Sequence, residues 1–464
     1  MVLGPLRRRR APEPAPRLAV TPAVPEFTMP QRQLRVVHFS DTYLPRRDGI
    51  ITWLQTLTGS LSELGHDSRV VIPRHPDQDE EDHLMRLRSL PLGIANFRLS
   101  SWPRLRHVEE VARWRPNVVH VHTPGPVGLL GVFAARRLGL PLVQTYHTDL
   151  HAYADAYKIP TRILSSAVRA ASVRVGCPTP RLPGVLPGRS RRAERRRQAV
   201  DAAIEVFYGD SDALLVPTPA ILNRCTLPVD DDRVYVVPAG VALPASPGDA
   251  RREFRAEYGI GESERVVLFI GRVNREKGID LLTEAFGRVA GRVPACRLLL
   301  VGAVYDRPWV RQLLDEAGIA DRTVLTGELP RTEVARACAA SDVFAFPSRT
   351  DTQGLVVQEA SLAGLAPALV DAELHSSGPL AGAGLLAEPT PDGYADSLAA
   401  LLTDDELRIR VASEARELAN RNSPASFASR MSEVYDQAIR AGATANRLQR
   451  RRRFWRTGQR RLAG

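Results

Sequence analysis

The feature that most constrains the fold is an alternation of short apolar runs with amphipathic helical patterns, which occurs twice along the chain. The first series has strand patterns at residues 34–39, 68–73, 117–124 and 141–148, and the second begins at residues 265–271 and ends near residue 370. Apolar strands that alternate with helices are typical of parallel sheets covered by helices. The sequence therefore predicts an α/β protein with two doubly wound domains and a ligand cleft between the carboxyl ends of their sheets.

Breaks in this pattern predict the domain boundaries. Residues 1–33 are rich in Pro, Ala and Arg and are expected to be a disordered extension. The first Rossmann-like domain is predicted at residues 34–245, with an Arg-rich insertion at 180–198, and the second at 246–425, because the pattern is lost around Pro244 and Pro247. Residues 426–446 are predicted to form a helix that returns to the first domain, and residues 447–464 a basic tail.

The composition excludes several classes of protein. Apolar residues make up 44% of the 464 residues and charged residues 25%, and no apolar segment approaches the roughly 18 residues that a membrane-spanning helix needs. The four cysteines form no closely spaced pair, so that neither a disulfide framework nor a zinc site is indicated. We therefore expect a cytoplasmic globular protein.

The net charge of +11 resembles that of a nucleic-acid-binding protein, but it is unevenly distributed. Three Arg-rich segments, within residues 1–35, 181–197 and 447–464, hold more than this excess, so that the rest of the chain is net acidic. No nucleic-acid partner is therefore expected. The last segment places Phe454 and Trp455 among arginines, which suits the surface of an anionic membrane; a solvated terminus is the alternative.

Two cations lie between the first strand and the first helix of the second domain. Arg272 follows the strand and Lys277 precedes the helix, an arrangement that suits a diphosphate also bound by backbone N–H groups at the helix N-terminus. A solvated loop would have the same composition. However, the 63 basic residues include only two lysines, Lys158 and Lys277, which favours a specific requirement for an ammonium group.

Two carboxylates, Asp351 and Glu359, flank the last strand–helix junction of the second domain, with Gly354 at the turn. Carboxylates in these positions can accept hydrogen bonds from sugar hydroxyls, one from a hexose and one from a ribose. The alternative is a helix N-cap followed by an ordinary helical glutamate.

These segments carry a family resemblance. GRVNREKG, VLTGEL and TDTQGLVVQEA resemble the carboxyl-terminal domain of glycosyltransferase family 4, which consists of retaining enzymes of the GT-B fold. FSDTYLPRRDGIITWLQTLTGSLSELGH and HVHTP…TYHTDL are similar to the acceptor domain of this family, especially in the branches that glucosylate diacylglycerol or mannosylate glycolipids. The resemblance covers about residues 34–440.

The resemblance implies a metal-independent, retaining hexosyltransferase that uses a UDP- or GDP-linked hexose and a lipid or lipid-linked hydroxyl acceptor at the inner face of the membrane. Arg272 and Lys277 would bind the diphosphate and stabilise the leaving group, and His147 would contact the 6-hydroxyl of the sugar or support the transition state. Together these three are the expected catalytic residues. The expected donor-binding residues are Gly49, Arg272, Lys277, Asp351, Thr352, Gln353, Gly354, Leu355 and Glu359.

The chain also departs from the family pattern. Asp351 stands where glutamate is usual, and Ala242 replaces the acid of the PxGVD signature. The glycine pair that precedes the first helix in the family is Asp48-Gly49 in this chain. Because the diphosphate cations are retained, we expect an unusual donor or acceptor rather than an inactive protein.

Two motifs offer a metal-dependent alternative. Asp210-Ser211-Asp212 has the DxD spelling, but we interpret it as a helix cap that leads into a strand. The histidines His120, His122, His147 and His151 are a conceivable metal set, but they lack carboxylate or cysteine partners at a fixed spacing, and no metal is expected.

Two functional alternatives stay open. The first is a glycosyltransferase that acts on a soluble secondary metabolite or a sugar alcohol. The second is a protein of the GT-B fold that binds a nucleotide without turnover.

Overall fold

The computed structural model describes residues 33–46, 48–91, 98–147, 149–151, 154, 159–180, 182 and 192–461, with the backbone alone at residue 192 and from residue 443 onward. The extension predicted at residues 1–33 lies outside this part of the chain except for Gln33, as does most of the insertion predicted at 180–198. From Leu34 onward the chain forms one compact unit.

The first sheet consists of seven described strands, all parallel, in the order β3-β2-β1-β6-β7-β8-β9. These strands are β1 (Arg35–Phe39), β2 (Asp67–Pro73), β3 (Leu84–Leu87), β6 (Val118–Val121), β7 (Leu142–Thr145), β8 (Ala213–Val216) and β9 (Val234–Val236). β4 (Ser89–Pro91) and β5 (Arg98–Ser100) form a separate, antiparallel two-stranded sheet. Strand β1 lies between β2 and β6, with His38 opposite both Val70 and His120, so that the strand order reverses beside β1.

Along the chain, the described helices of this half connect its strands. They are α1 (Gly49–Glu63), α2 (Leu105–Arg113), α3 (Pro126–Leu138), α4 (Thr161–Val175), α5 (Arg192–Tyr208) and α6 (Ala220–Arg224). Asp48 caps the N-terminus of α1, because its Oδ1 accepts the N–H groups of Ile50 and Ile51. Residues 192–198 of the predicted Arg-rich insertion form the first turns of α5, a helix that the sequence pattern did not predict. The run of arginines concealed this helix, since it interrupts the apolar periodicity.

The second sheet has the order β12-β11-β10-β13-β14-β15, and its paired strands are parallel. Its strands are β10 (Arg265–Ile270), β11 (Cys296–Val301), β12 (Thr323–Gly327), β13 (Val343–Phe346), β14 (Ala366–Leu369) and β15 (Leu385–Leu386). Val267 and Phe269 pack into one apolar cluster, whereas Val266 and Leu268 pack into another. Since successive strand residues point to opposite faces, both faces of this sheet are covered, as expected for a parallel sheet.

The helices of this half are α7 (Ala250–Glu257), α8 (Ile279–Arg292), α9 (Arg307–Glu316), α10 (Arg331–Ala339), α11 (Leu355–Leu362), α12 (Ala372–Ser377), α13 (Pro391–Thr403) and α14 (Asp405–Asn420). Each of the two sheets therefore follows the doubly wound order, with a reversal beside β1 in the first and beside β10 in the second. Ligands bind at the carboxyl ends of the strands beside such reversals.

The last helix, α15 (Pro424–Arg461), packs against the first half of the molecule. Phe427, Met431 and Tyr435 share an apolar cluster with Trp53 and Leu57 of α1. The helix continues past residue 446, where the sequence analysis ended it and began a tail. Among the described residues, no helix has both the length and the apolar character that crossing a membrane requires.

Candidate active site

The predicted site residues of the second half follow the two strands that flank its reversal. Arg272 comes two residues after β10, and Asp351 follows β13, which pairs directly with β10. A single turn of 3-10 helix, Arg275–Lys277, leads from Arg272 into α8, and the Asn274 side chain accepts the N–H of Lys277 at its start. Topology thus explains why residues about 75 positions apart in the chain meet at one edge of the sheet.

Lys277 and Asp351 form an ion pair at this edge. The Lys277 Nζ donates to Asp351 Oδ1 at 2.7 Å, and the two side chains are 15% and 22% exposed. Burial acts to raise the pKa of Asp351, but the ammonium of Lys277, the nearby Ser348 hydroxyl and the charge of Arg272 lower it below its ordinary value. Asp351 is therefore an ionised carboxylate at neutral pH.

The second carboxylate oxygen of Asp351 is available for a ligand. Its Oδ2 is buried and accepts no hydrogen bond from the described residues. A buried carboxylate oxygen without a donor is costly, and a sugar hydroxyl would supply the missing donor. This geometry suits the sugar-binding role that the sequence analysis expected of Asp351.

Arg272 also faces a carboxylate. Its Nη2 lies 3.1 Å from Glu276 Oε1, while Glu276 Oε2 is buried without a partner among the described residues. Both predicted diphosphate cations are thus held beside acidic side chains in this structure. A bound diphosphate would compete with Glu276 and Asp351 for the same two cations.

Glu359 lies on α11, buried, and is paired with an arginine that the sequence analysis did not identify. Arg331 Nη2 lies 3.0 Å from Glu359 Oε1 and also donates to the carbonyl of Ala242 at 2.6 Å. Burial raises the pKa of Glu359, and Arg331 opposes this rise. No local pattern signals Arg331, because it begins α10, 28 residues before the glutamate it contacts, in a segment without motif character.

The loop between Asp351 and α11 contacts the first half of the molecule. Thr352 Oγ1 donates to the carbonyl of His147 at 2.8 Å, and Thr218 Oγ1 donates to the carbonyl of Thr352 at 2.6 Å. The Gln353 side chain accepts the N–H of Ala239 at 3.0 Å and donates to its carbonyl at 3.3 Å. These two bonds fix the orientation of the Gln353 amide against Ala239.

A second cross-contact lies beside this loop and was also not predicted. Arg224, at the end of α6, lies 2.6 Å from Asp371 and 2.9 Å from Glu373 and donates to the carbonyl of Asp351 at 3.3 Å. The carbonyl of Asp351 is therefore fixed by the first half of the molecule and its carboxylate by Lys277. The partners in these two ion pairs are separated by 147 and 149 positions in the chain, and the sequence gives no signal for either pair.

Two helix N-termini meet at the site. Gly49 begins α1 and Leu355 begins α11, and a Cβ added to Gly49 would lie 3.7 Å from Leu355 Cδ1. Gly354 precedes α11 with φ 69°, in the left-handed region that favours glycine. Helix N-termini attract anions, so this convergence suits a phosphate group. Asp48, however, already occupies the N–H groups of Ile50 and Ile51, which are then not available to a phosphate.

His147 follows β7 and lies within a cluster of histidines. Its Nε2 is 3.3 Å from Nδ1 of His122, whose Nε2 is in turn 3.0 Å from Nδ1 of His38. The Trp53 ring packs edge-on against His147. Burial lowers the pKa of His147 to about 3, so that its imidazole is neutral at physiological pH.

The histidines that lie close together in the structure differ from the metal-binding set named from the sequence. Among the described residues, the group that could converge on an ion is His38, His120 and His122, whereas His151 lies beside Asp201, with 3.0 Å between His151 Nε2 and the carboxylate. Both ring nitrogens of His120 are already engaged, one by Tyr435 and one by Thr145. This donor set is therefore better explained by hydrogen bonding than by metal binding.

The aspartates of the Asp210-Ser211-Asp212 motif also have other partners than the predicted helix cap. Asp212 does not cap a helix, since it lies after α5 and its Oδ2 accepts the N–H of Leu142 at 2.8 Å. Asp210 pairs with Arg136. Asp212 therefore lies where β7 and β8 begin, whereas His147 follows the end of β7.

The arrangement supports a defined chemistry. Arg272, Lys277 and the N-terminus of α11 offer positive charge to an anion, and Oδ2 of Asp351 is open to a sugar hydroxyl. The neutral His147 lies against the loop that carries Asp351. Such a site can bind a sugar diphosphate and stabilise the negative charge that develops on a departing phosphate.

Comparisons with known proteins agree with this chemistry. The family model described as "Glycosyl transferases group 1" matches residues 250–418, and the model described as "Glycosyltransferase Family 4" matches residues 47–243. Each model covers one of the two doubly wound halves.

Two curated proteins and one solved structure illustrate the similarity. The chain is 31% identical over 339 residues to a D-inositol 3-phosphate glycosyltransferase of Xylanimonas cellulosilytica, covering 70% of this chain and 72% of that protein. It is 25% identical over 344 residues to an alpha-monoglucosyldiacylglycerol synthase of Acholeplasma laidlawii, covering 72% and 79%. A sucrose-phosphate synthase from Thermosynechococcus elongatus superimposes with a TM-score of 0.62 at 20% identity, covering 88% and 100% of the two chains. The last comparison shows the shared fold.

Proposed function

The chain belongs to glycosyltransferase family 4 and is a hexosyltransferase of the GT-B fold, and from that premise we propose that it transfers a hexose from a UDP- or GDP-linked donor to a lipid or lipid-linked hydroxyl. The transfer retains the configuration at the anomeric carbon, so that an α-linked donor gives an α-linked product. Neither a metal ion nor another cofactor takes part.

One observation carries the assignment of the donor site. Lys277 and Asp351 meet at 2.7 Å where β10 and β13 end, and Oδ2 of Asp351 is buried without a partner among the described residues. Lys277 would exchange part of its contact with Asp351 for the diphosphate, and Asp351 would accept a hydroxyl of the hexose. Phosphate and sugar are thereby bound on either side of the bond that breaks.

In this mechanism Arg272 and Lys277 stabilise the leaving nucleoside diphosphate. Fixed positive charge at this point replaces the divalent cation that other transferases use for the same purpose. His147 stays neutral because burial depresses its pKa to about 3, so that it acts as a hydrogen-bonding group rather than as a cation. Glu359 binds the ribose once Arg331 releases it.

A lipid acceptor is supported by the similarity to alpha-monoglucosyldiacylglycerol synthase over 79% of that protein. The Arg-rich segment at residues 447–464, which contains Phe454 and Trp455, is consistent with an enzyme that works at an anionic membrane surface. A soluble acceptor is the second candidate, because the 31% identical relative is a D-inositol 3-phosphate glycosyltransferase.

The experiment is a panel of UDP- and GDP-sugars, in which release of the nucleoside diphosphate is measured with a lipid extract, with soluble acceptors that include inositol phosphates, and with neither. We expect one donor to be consumed and its consumption to rise with lipid. If donor consumption rises only with a soluble acceptor, the acceptor is a soluble molecule and not a lipid. If UDP or GDP raises the melting temperature and no acceptor increases turnover, the protein binds nucleotides without transfer and the proposal fails.

A further inference from the structure

Three histidines form a hydrogen-bonded chain that ends at the active site. His38 lies on β1 and His122 directly follows β6, the strand that pairs with β1, while His147 lies beyond β7. Nδ1 of His38 is 3.0 Å from Nε2 of His122, and Nδ1 of His122 is 3.3 Å from Nε2 of His147. The inner end of this histidine chain, His38, is fully buried. The outer end, His147, accepts a hydrogen bond at its carbonyl from Thr352, in the loop between Asp351 and α11.

The rings of this chain are neutral. Burial lowers the pKa of His38 and of His147 to about 3. The pKa of His122 is lowered well below its ordinary value by burial and then by the neighbouring histidines His120, His38 and His147. The groups that face the cluster from α1 and α15 are the Trp53 ring and the Tyr435 hydroxyl, and the latter bonds to His120.

A chain of neutral imidazoles has a direction, because each ring carries one N–H donor and one bare nitrogen acceptor. In one direction His38 donates from Nδ1 to His122, His122 donates from Nδ1 to His147, and His147 carries its proton on Nδ1. In the other direction every proton moves to Nε2. His147 would then donate inward and present a bare Nδ1.

The buried end of the chain selects the direction. Nε2 of His38 is buried and has no hydrogen-bond partner in the described part of the chain. In the second direction this atom would be a buried N–H without an acceptor, whereas in the first it carries only an unmatched lone pair. Buried N–H groups without acceptors are the rarer and more costly of the two.

We propose that His38 and His122 are positioning residues, which hold His147 in the tautomer that carries its proton on Nδ1. This proposal rests on the proposed function, in which His147 faces the reacting sugar. The protonated Nδ1 would then be a hydrogen-bond donor for a sugar hydroxyl or for the oxygen of the leaving phosphate. The outer ring nitrogen is fixed as a donor before the substrate binds, which is the preorganisation that an electrostatic site requires.

The first test measures the tautomer directly in the full chain. Imidazole 15N and 1H correlations of protein labelled at histidine, with His147 assigned from a His147→Asn variant, distinguish Nδ1–H from Nε2–H and from the imidazolium ion. We expect neutral rings at pH 7.5 with Nδ1 protonated in His38, His122 and His147. A proton on Nε2 of His147, a charged ring in the chain, or one bound zinc ion per chain by elemental analysis would overturn the proposal.

The second test uses a matched pair of variants at the buried end. His38→Asn keeps an N–H donor toward His122, whereas His38→Leu removes it. We expect His38→Leu to move the His147 signals toward a mixture of tautomers and to lower kcat about 10- to 100-fold with the donor KM nearly unchanged, and His38→Asn to preserve both. Equal kcat values in the two variants, or His147 signals that do not respond to His38→Leu, would contradict the proposal.

The tautomer measurement separates the two proposals. It needs no substrate, so that the predicted tautomer in a protein without transferase activity would refute the proposed function and leave the histidine chain intact. The opposite tautomer of His147 in an active transferase would refute only the proposal that His38 and His122 position His147. If His38→Leu does not fold, the measurement on the unmodified protein still decides the question.

Discussion

Replacing Lys277 by methionine, which keeps the length of the side chain and removes its charge, tests the role of the ion pair with Asp351. Lys277 is 15% exposed, and its ammonium lies 2.7 Å from Asp351 Oδ1. At such a site a cation about 4 Å from a phosphate oxygen contributes about 4 kcal/mol at an effective dielectric constant of about 20. Since removing one preorganised group of this kind costs about 2.7–4 kcal/mol in the transition state, we expect kcat to fall about 100- to 1000-fold.

The same substitution also leaves the buried carboxylate of Asp351 without its cation, so that lost stability must be separated from lost catalysis. We expect Lys277→Met to lower the free energy of unfolding by about 1–3 kcal/mol. Adding Asp351→Asn should recover much of this stability, because the amide carries no charge, but it should not recover kcat. Lys277→Arg is the charge-preserving control and should retain more activity than Lys277→Met.

The assay is nucleoside diphosphate release at saturating donor, with the melting temperature measured on the same preparations. A loss in kcat of less than tenfold for Lys277→Met would refute the assignment of Lys277 to the leaving group. Recovery of kcat in the double variant would show that the single variant failed through instability alone.

The remaining predictions concern the donor sugar, pH and the basic segment. Asp351→Glu restores the residue usual in the family and should change the ratio of kcat/KM between donor sugars by at least about tenfold, since one added methylene displaces the hydroxyl acceptor; an unchanged ratio across the donor panel would argue against contact with the sugar. Burial lowers the pKa of His38 and of His147 from 6.5 to about 3 in the folded protein, whereas the value of 6.5 applies in the unfolded chain. Between pH 3 and pH 6.5 the unfolded chain therefore binds more protons than the folded protein. Stability should therefore fall as the pH drops below 6.5, by up to about 1.4 kcal/mol per pH unit for each such histidine, and His38→Leu should make urea unfolding less dependent on pH between 7 and 5; an equal dependence would refute this origin. Deleting residues 447–464 should weaken sedimentation with vesicles that contain anionic lipid, more at low than at high salt, and leave UDP or GDP affinity unchanged; equal sedimentation with and without the segment would exclude it from membrane binding.

The positions of Arg272, Lys277 and Asp351 in the fold could be predicted from the sequence, because they depend on topology and local motif. Once the strand–helix alternation is recognised, Arg272 and Asp351 must follow strands of one parallel sheet, and ligands bind beside its reversal. Lys277 stood out as one of only two lysines. The structure adds the 2.7 Å contact between Lys277 and Asp351, which neither spacing nor composition specifies.

Contacts between segments that lie far apart in the chain could not be predicted in this way. Arg331 on Glu359 and Arg224 on Asp371 join distant segments whose local sequence has no characteristic pattern. His38 was not identified either, because a single histidine in an apolar strand carries no signal until the pairing of β1 with β6 places it opposite His120. The helical start of α5 was hidden by arginines that break its apolar period.

The most direct test of the central claim is proton NMR of the reaction with the active donor and acceptor, recorded over time in the presence of EDTA. The mechanism assigns charge stabilisation to Arg272 and Lys277 and predicts the α-anomeric signal of the product at a rate that EDTA does not change. A β-anomeric product, or a reaction that EDTA stops and a divalent cation restores, would contradict metal-independent, retaining transfer by this site.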